Sequence, residues 1–189
     1  VVAVKGKTVV PEEKKVYLAF NKPRGIVCTA EKREKNNVID YLSYPVRIYP
    51  VGRLDKDSEG LLLMTNDGAI VNGIMRARNR HEKEYQVEVN KEITPEFLKK
   101  MASGVPILDT VTRPCRIQKT GERSFTIILT QGLNRQIRRM CEALGYRVTK
   151  LKRVRIMNIH LKDLKTGEYR PLTEKELAEL KKQIGEEKR

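Results

Sequence analysis

The chain has 189 residues, of which 39% are hydrophobic and 33% are charged, and it carries a formal net charge of +15. This length lets one domain, or two small ones, bury a core without disulfide bonds, and the composition excludes an intrinsically disordered chain. A positive surplus of this size causes self-repulsion in a compact fold. It therefore predicts a polyanionic partner, and first of all a nucleic acid.

The cysteines and histidines argue against several kinds of site. Cys28, Cys115 and Cys141 are far apart and form no CxxC pair, which argues against a zinc knuckle and a disulfide framework. Only His81 and His160 are present, so a histidine-based metal site is not expected. No apolar run reaches membrane-spanning length, and no signal peptide is recognisable. We expect a cytoplasmic protein with no membrane partner and no metal.

The N-terminal segment differs in character from the rest of the chain. Residues 1–14 are predicted to be a linker and the remnant of a preceding module, because the chain starts at Val1 inside what looks like a strand. A folded domain over residues 15–189 is predicted to begin with a strand at Val16–Phe20, which the turn residues 21–25 end. Residues 31–37 are predicted to form a charged loop.

The middle of the chain alternates between strand and helix patterns. Leu61–Thr65 is predicted to be a buried strand, and Asp67 to cap the helix that follows it. Lys83–Val89 alternates polar and apolar residues, which is typical of a half-exposed strand. Thr94 followed by proline indicates the start of a further helix, which Gly104 can end.

The last third carries the most informative helix pattern. After a β-branched strand over 124–130, the segment Gly132–Gly145 is predicted to be a helix with two faces. Its apolar face holds Ile137, Met140, Cys141 and Leu144, and its basic stripe holds Arg135, Arg138 and Arg139. One or two strands over 146–159 and a C-terminal helix with a capping box of Thr173 and Glu176 complete the chain. This mixture predicts an α+β fold with a large sheet.

The acidic cluster at 55–60 leaves more than one interpretation open. A calcium loop needs a bidentate glutamate at its twelfth position, where this chain has Asn66, so calcium binding is disfavoured. A single catalytic carboxylate, Asp55 preceded by Arg53 on a turn, fits better. A hydrolase that uses Asp55, Asp57 and Glu59 with a divalent metal remains a separate hypothesis.

Asp55 belongs to an ordered set of motifs. The set consists of Asn21-Lys22-Pro23-Arg24-Gly25, Gly52-Arg53-Leu54-Asp55, Ser58-Glu59-Gly60-Leu61-Leu62, Lys83-Glu84-Tyr85, and the segment from Gly132 to Met140. Together these motifs resemble the RsuA/RluB/RluE/RluF-type family of ribosomal RNA pseudouridine synthases, over about residues 16–172. The segments 81–85, 104–108 and 155–158 are most similar to the RluF branch.

The resemblance implies a fold, an activity and a partner. The fold would be that of a pseudouridine synthase, with a large, mostly antiparallel mixed sheet flanked by helices, and residues 15–189 would be its catalytic domain. The activity would be the isomerisation of a specific uridine of large-subunit ribosomal RNA, without a cofactor. A transfer RNA stays open as a second substrate, and a monomer is expected. The S4-like RNA-binding domain that normally precedes this core is expected to be missing.

The resemblance also implies roles for three catalytic residues. Asp55 would act as nucleophile or base, with Arg138 as the cation that keeps it ionised and Tyr85 as the aromatic ring that stacks on the base. We expect Asp55 to lie in a closed pocket within hydrogen-bond reach of Arg138, with Tyr85 beside it. Structural explanations remain open: Arg138 as a solvated arginine and Tyr85 as a packing residue.

The remaining site residues are expected to contact RNA. Ile156 would form an apolar wall for the base, although a core isoleucine fits the sequence equally well. Polar and basic residues would hold the displaced strand and its phosphates: Arg53, Lys83, Asn134, Arg135, Gln136 and Arg139. A non-catalytic RNA-binding or ribosome-assembly module is the alternative function that the same charge supports.

Overall fold

A computed structural model describes residues 2–4, 7–9 and 14–186, and the side chains of residues 14–185. Two short strands at the start, β1 (Val2–Val4) and β2 (Lys7–Val9), pair with each other in antiparallel fashion. The linker predicted over residues 1–14 lies almost wholly outside the residues whose side chains are described. The boundary between residues 14 and 15 therefore stays a prediction.

Eleven further strands and five helices follow within residues 14–186. The strands are β3 (Tyr17–Lys22), β4 (Tyr49–Val51), β5 (Glu59–Thr65), β6 (Lys83–Val89), β7 (Pro106–Ile107), β8 (Thr110–Val111), β9 (Arg116–Gly121), β10 (Ser124–Leu129), β11 (Val148–Ile156), β12 (Ile159–His160) and β13 (Tyr169–Pro171). The helices are α1 (Val38–Leu42), α2 (Gly68–Ala77), α3 (Pro95–Ser103), α4 (Gln136–Ala143) and α5 (Glu174–Glu186).

Nine of the strands form one sheet in the order β13-β3-β5-β11-β6-β10-β9, with β4 paired to β5 and β12 paired to β11. Every pairing in this sheet is antiparallel except that of β5 with β11, which is parallel. The predicted α+β architecture with a large, mostly antiparallel mixed sheet is confirmed. The parallel pair brings the segment before β5 next to strands that lie far away in sequence.

Strand β5 is apolar on both of its faces because both are covered. Leu61 and Leu63 pack into a core with residues of α2 and α5, whereas Leu62 and Met64 pack into a second core that contains Val38 of α1. A strand that is buried on both sides has an unbroken apolar run rather than an alternating one. This explains why the sequence at 61–64 predicts a buried strand.

Side-chain caps begin three of the helices at the predicted positions. The Asp67 carboxylate accepts hydrogen bonds from two backbone N–H groups of α2, and the Thr94 hydroxyl accepts one from α3. In α5, the backbone N–H groups of Thr173 and Glu176 each donate to the side chain of the other, at 2.9 and 3.1 Å. In the part of the chain that the structure describes, no helix is both long and apolar enough to cross a membrane.

Two predicted boundaries are wrong. The helix expected over 132–145 begins only at Gln136, because Arg135 has the left-handed conformation, with φ of 50°. The first strand continues through Asn21 and Lys22, where a turn was expected, and both residues are buried. Their polar ends find backbone acceptors inside the fold: the Asn21 amide donates to Leu164, and the Lys22 ammonium donates to two carbonyls nearby.

Candidate active site

A cavity of about 500 Å³ lies where the turn before β5, strands β6 and β11, and the loop before α4 meet. All but two of the predicted site residues line it: Arg53, Asp55, Lys83, Tyr85, Asn134, Arg135, Gln136 and Ile156. The two exceptions are Arg138 and Arg139. Residues from four separate stretches of the sequence therefore share one cavity.

Backbone contacts fix the turn that carries Asp55. Leu54 is buried, and its backbone N–H and carbonyl both contact the Cys28 thiol. The carbonyl of Asp55 itself accepts from the Ser58 N–H at 3.0 Å, which closes the turn that leads into β5. The Asp55 side chain keeps 36% of its surface exposed, so the cavity is open at this point rather than closed as predicted.

The guanidinium beside Asp55 belongs to Arg135 and not to Arg138. Arg135 Nη1 lies 3.5 Å from Asp55 Oδ2. Arg138 Nη2 instead donates to the carbonyl of Asp57 at 3.0 Å and to the Ser58 hydroxyl at 3.1 Å. The predicted hydrogen bond between Asp55 and Arg138 is therefore wrong. Arg138, the third residue of α4, holds the backbone that follows Asp55, whereas Arg135, just before the helix, reaches the carboxylate.

Asp57 is the more firmly paired of the two aspartates. Both of its carboxylate oxygens accept from Arg135, at 3.2 and 3.1 Å, and Arg138 Nη1 lies 3.6 Å away. The hydrogen bond from Arg135, with the charges of both arginines, lowers the pKa of Asp57, and the same pairing raises the pKa of Arg135. Asp57 thus anchors the two arginines, and Asp55 keeps the longer contact with Arg135.

Tyr85 and Ile156 form part of the cavity wall near Asp55. Tyr85 is half-buried on β6, opposite Arg153 of β11 on one side and Ile127 of β10 on the other. Ile156 is buried near the end of β11 and belongs to a core cluster as well as to the cavity wall. Both side chains line the same cavity as Asp55. Their roles toward a substrate stay predictions.

Lys83 joins the two loops that border the cavity. Its ammonium donates to the carbonyl of Thr130 at 3.0 Å and to that of Arg78. Burial lowers its pKa to about 8, and the neighbouring charges of Arg153, Arg113 and Arg78 act in the same direction. A cation with a lowered pKa therefore lies at this end of the cavity.

Three residues predicted to contact RNA mainly shape the loop before α4. The Gln136 side chain is buried, and its carbonyl oxygen accepts from the Leu133 N–H at 3.2 Å. Arg139 donates to the backbone carbonyl of Asn134 at 3.0 Å and to its side-chain oxygen at 2.9 Å. These bonds occupy Arg139 outside the cavity, while Asn134 remains part of the lining.

The structure adds Arg153 to the cavity, a residue with no predicted site role. It lines the cavity although only 7% of its surface is exposed. Its position in β11 has the same parity as Leu151, which is also buried. The sequence contains one signal for this role: an arginine stands at a position that the alternating pattern of the strand predicts to be buried.

The acidic residues 55–59 do not form a metal site. Among the described residues, no group of three or more His, Cys, Asp or Glu side chains is placed to hold a metal ion. The Asp57 carboxylate is directed to two arginines, and Glu59 lies 4.0 Å from Lys150. The hypothesis of a metal-dependent hydrolase therefore has no converging set of ligands.

The sheet and the cavity together define the structural class. A solved pseudouridylate synthase superimposes on this chain with a TM-score of 0.82 and 29% sequence identity, covering 91% of this chain and 76% of that one. The fold is therefore that of the pseudouridine synthases, as predicted. This fold places the turn that carries Asp55, the strand that carries Tyr85 and the start of α4 with Arg135 around one cavity.

The family follows from sequence comparison. The family model for RNA pseudouridylate synthase matches residues 16–143, and the chain belongs to this family. The dual-specificity RNA pseudouridine synthase RluF of Salmonella typhi is 54% identical over 97% of this chain and 64% of its own length. The ribosomal large subunit pseudouridine synthase B of Bacillus subtilis is 36% identical, over 91% of this chain and 74% of its own. The higher identity to RluF confirms the predicted branch, and the chain spans 64% of that relative.

Proposed function

We propose that the chain is an isomerase that converts a uridine of large-subunit ribosomal RNA to pseudouridine, with Asp55 as its essential residue. The proposal rests on the position of Asp55. This residue lies on a turn that a backbone hydrogen bond closes, and it lines the same cavity as Tyr85. A volume of about 500 Å³ is within the range of small-molecule sites, so a flipped nucleoside fits. The relative from Bacillus subtilis is a ribosomal large subunit synthase by name.

The reaction requires one ionised carboxylate and a fixed base. The bond between N1 and C1′ breaks, the detached uracil turns, and C5 bonds to C1′; the C5 proton leaves and N1 gains a proton. Asp55 either attacks covalently or removes a sugar proton. Arg135 Nη1, at 3.5 Å, forms an ion pair with this carboxylate. Tyr85 and Ile156 then hold the uracil ring while it turns.

RNA binding is proposed to use the basic rim of the cavity. Arg53, Asn134 and Arg135 are exposed, and all three line the cavity. Such side chains position a displaced strand through its phosphates, and they offset part of the cost of base flipping, a few kcal/mol.

We further propose a cytoplasmic monomer with a catalytic domain over residues 15–189. The name "dual-specificity" in the RluF relatives supports a second RNA substrate, such as a transfer RNA.

The test is replacement of Asp55 by Asn. We expect Asp55→Asn to abolish pseudouridine formation and to leave RNA binding and thermal unfolding largely unchanged, because the side chain is partly exposed and its long ion pair contributes little to stability. Carbodiimide mapping of a large-subunit ribosomal RNA transcript measures the product. Asp163→Asn, on an exposed turn, is the matched control and should keep full activity.

Two outcomes would contradict the proposal. Wild-type rates in Asp55→Asn would remove Asp55 from the mechanism. Tight RNA binding by the wild-type chain without any product would favour the non-catalytic RNA-binding module instead.

A further inference from the structure

Arg153 has one hydrogen-bond donor without an acceptor. Its Nε donates to the carbonyl of Leu61 at 2.8 Å, and its Nη1 lies 3.5 Å from the carbonyl of Arg53. Its Nη2 is buried and has no partner among the described residues. A buried guanidinium donor without an acceptor is destabilising, and protein interiors rarely leave one in that state.

A neighbouring arginine shows how the same strand satisfies a structural guanidinium. Arg155 donates to Glu84 at 3.1 Å, to Glu82 at 3.2 Å and to the carbonyl of Met157 at 2.9 Å. It does not line the cavity. Arg153, only two residues earlier, donates to two backbone carbonyls, and its side chain lines the cavity while its buried Nη2 has no acceptor. The difference points to an acceptor that arrives from the cavity.

The surroundings of Arg153 specify the chemistry of that acceptor. Arg153 lies opposite Tyr85 in the register of β11 and β6, and both side chains line the cavity that holds Asp55. The positive charge of Arg153 helps to lower the pKa of Lys83, so two cationic groups lie at this end of the cavity. Such a wall favours an oxygen with negative or partial negative charge.

We infer that Arg153 contacts the substrate, and that its Nη2 donates a hydrogen bond to an oxygen of the nucleotide that enters the cavity. A carbonyl oxygen of the uracil ring and a phosphate oxygen share this chemistry. The inference rests on the proposed function, since it names a further residue for the same reaction. Nε and Nη1 hold the backbone of β5 and of the turn before it, and Nη2 remains for the substrate.

The first experiment compares Arg153→Lys with Arg155→Lys. Lysine keeps the charge but lacks the planar guanidinium group, whose several N–H donors can bond the backbone and a ligand at the same time. We expect Arg153→Lys to lower kcat/KM on a large-subunit ribosomal RNA transcript about 10- to 100-fold, the loss typical of a hydrogen bond from a charged group. Arg155→Lys should stay within about threefold of the wild type, because the Arg155 side chain does not itself line the cavity. Equal losses in both variants, or none in Arg153→Lys, would overturn the inference.

A second experiment uses the wild-type protein, and so does not depend on how well the variant folds. Transcripts are made with 2-thiouridine, 4-thiouridine or phosphorothioate-linked uridine, because sulfur is a weaker acceptor than oxygen. A contacted oxygen shows a slower reaction in one of these transcripts, and Arg153→Lys should remove that difference. A base contact appears in a thiouridine arm, and a phosphate contact appears in the phosphorothioate arm. Unchanged wild-type rates in all three arms would refute the contact.

The proposed function can fail separately. A wild-type chain that makes no pseudouridine on the unmodified transcript defeats the proposed function itself. A wild-type chain that is active, with Arg153→Lys equally active, defeats only the inference about Arg153.

Discussion

The Cys28 thiol supports the backbone next to the proposed catalytic aspartate. Its sulfur accepts from the Leu54 N–H at 3.4 Å and donates to the Leu54 carbonyl at 3.2 Å. Burial raises the pKa of the Cys28 thiol, which keeps the proton that the second bond needs. One neutral side chain therefore binds both backbone groups of Leu54, the residue directly before Asp55. This contact helps to fix the position of Asp55.

Replacing Cys28 separates this support from simple packing. Cys28→Ala leaves a buried N–H and a buried carbonyl without partners, so we expect a loss of about 2 kcal/mol in the free energy of unfolding. We also expect kcat to fall about tenfold with little change in KM, because a small displacement of Asp55 affects the chemical step. Urea unfolding and steady-state kinetics measure both effects. Cys28→Ser retains a donor and an acceptor and should recover most of kcat; a serine variant as slow as the alanine variant would contradict this role.

The lowered pKa of Lys83 predicts a pH dependence of RNA binding. With a pKa of about 8, its charge is present below pH 8 and is lost as the pH rises further. We expect RNA affinity to fall about three- to tenfold between pH 7 and pH 9, which corresponds to about 1 kcal/mol for the loss of one charge. The affinity is measured at constant ionic strength. Lys83→Arg stays charged across this range and should flatten the profile, so an equally steep profile in that variant would refute the assignment.

The same group affects stability with a definite sign. In the unfolded chain Lys83 has its ordinary pKa of 10.5, so the unfolded state binds more protons than the folded state between pH 8 and 10.5. The contribution of Lys83 to the free energy of unfolding therefore rises with pH in this window. Lys83→Arg should lack this rise.

The sequence was sufficient to identify most side chains of the site but not their contacts. The motif around Asp55, the strand of Tyr85 and the arginines near 135–139 were all predicted, and the cavity brings most of them together. The partner of Asp55 was predicted wrongly: the resemblance implied Arg138, and helical periodicity placed Arg135 and Arg138 on one basic stripe. The left-handed φ of Arg135 ends that stripe, and no pattern of hydrophobic residues indicates it.

At the level of elements, the parallel pairing of β5 with β11 depends on Gly60. This residue has φ of +109°, and a Cβ atom added to it would lie 2.7 Å from the backbone nitrogen of Arg153. Both the conformation and the close approach require glycine. The contact joins the turn after Asp55 to the strand that carries Arg153.

Gly60→Ala should therefore separate these two strands. We expect a loss of about 3 kcal/mol or more in the free energy of unfolding, because backbone atoms rather than a flexible side chain must move. Gly68→Ala is the control: it lies at the first turn of α2, with no atom within 4 Å of the added Cβ, and should be neutral or stabilise by up to about 1 kcal/mol. Urea unfolding compares the two, and equal effects would show that the close approach at Gly60 is not tight.

Elements with strong local signals were predictable, and those fixed by tertiary pairing were not. The caps at Asp67, Thr94 and Thr173 identify three helices because one side chain satisfies the first free N–H groups. Strand β9 is mostly exposed and lacks an apolar face, and β4 and β13 have three residues each. Their positions come from pairing with longer strands, which a local pattern does not contain.

On the scale of the whole molecule, the sheet order explains why distant motifs act together. The strands β5, β11 and β6 are neighbours, although they come from opposite halves of the domain. The Asp55 turn precedes β5, Tyr85 lies in β6, and Arg153 lies in β11. One parallel pairing within an otherwise antiparallel sheet therefore assembles the cavity.

The net charge of +15 predicts how RNA binding responds to salt. If about six phosphates are neutralised, log affinity should fall with log salt concentration with a slope near −4, from about 0.7 per phosphate on single-stranded RNA. Filter binding of a large-subunit ribosomal RNA transcript between about 50 and 200 mM salt measures this slope, where counterion release dominates. Arg53→Gln removes one cation from the cavity rim and should make the slope shallower by about 0.7, whereas Asp163→Asn should leave it unchanged. A slope close to zero for the wild type would mean that the basic residues neutralise no phosphates of the RNA, because each neutralised phosphate releases counterions and so contributes to the slope.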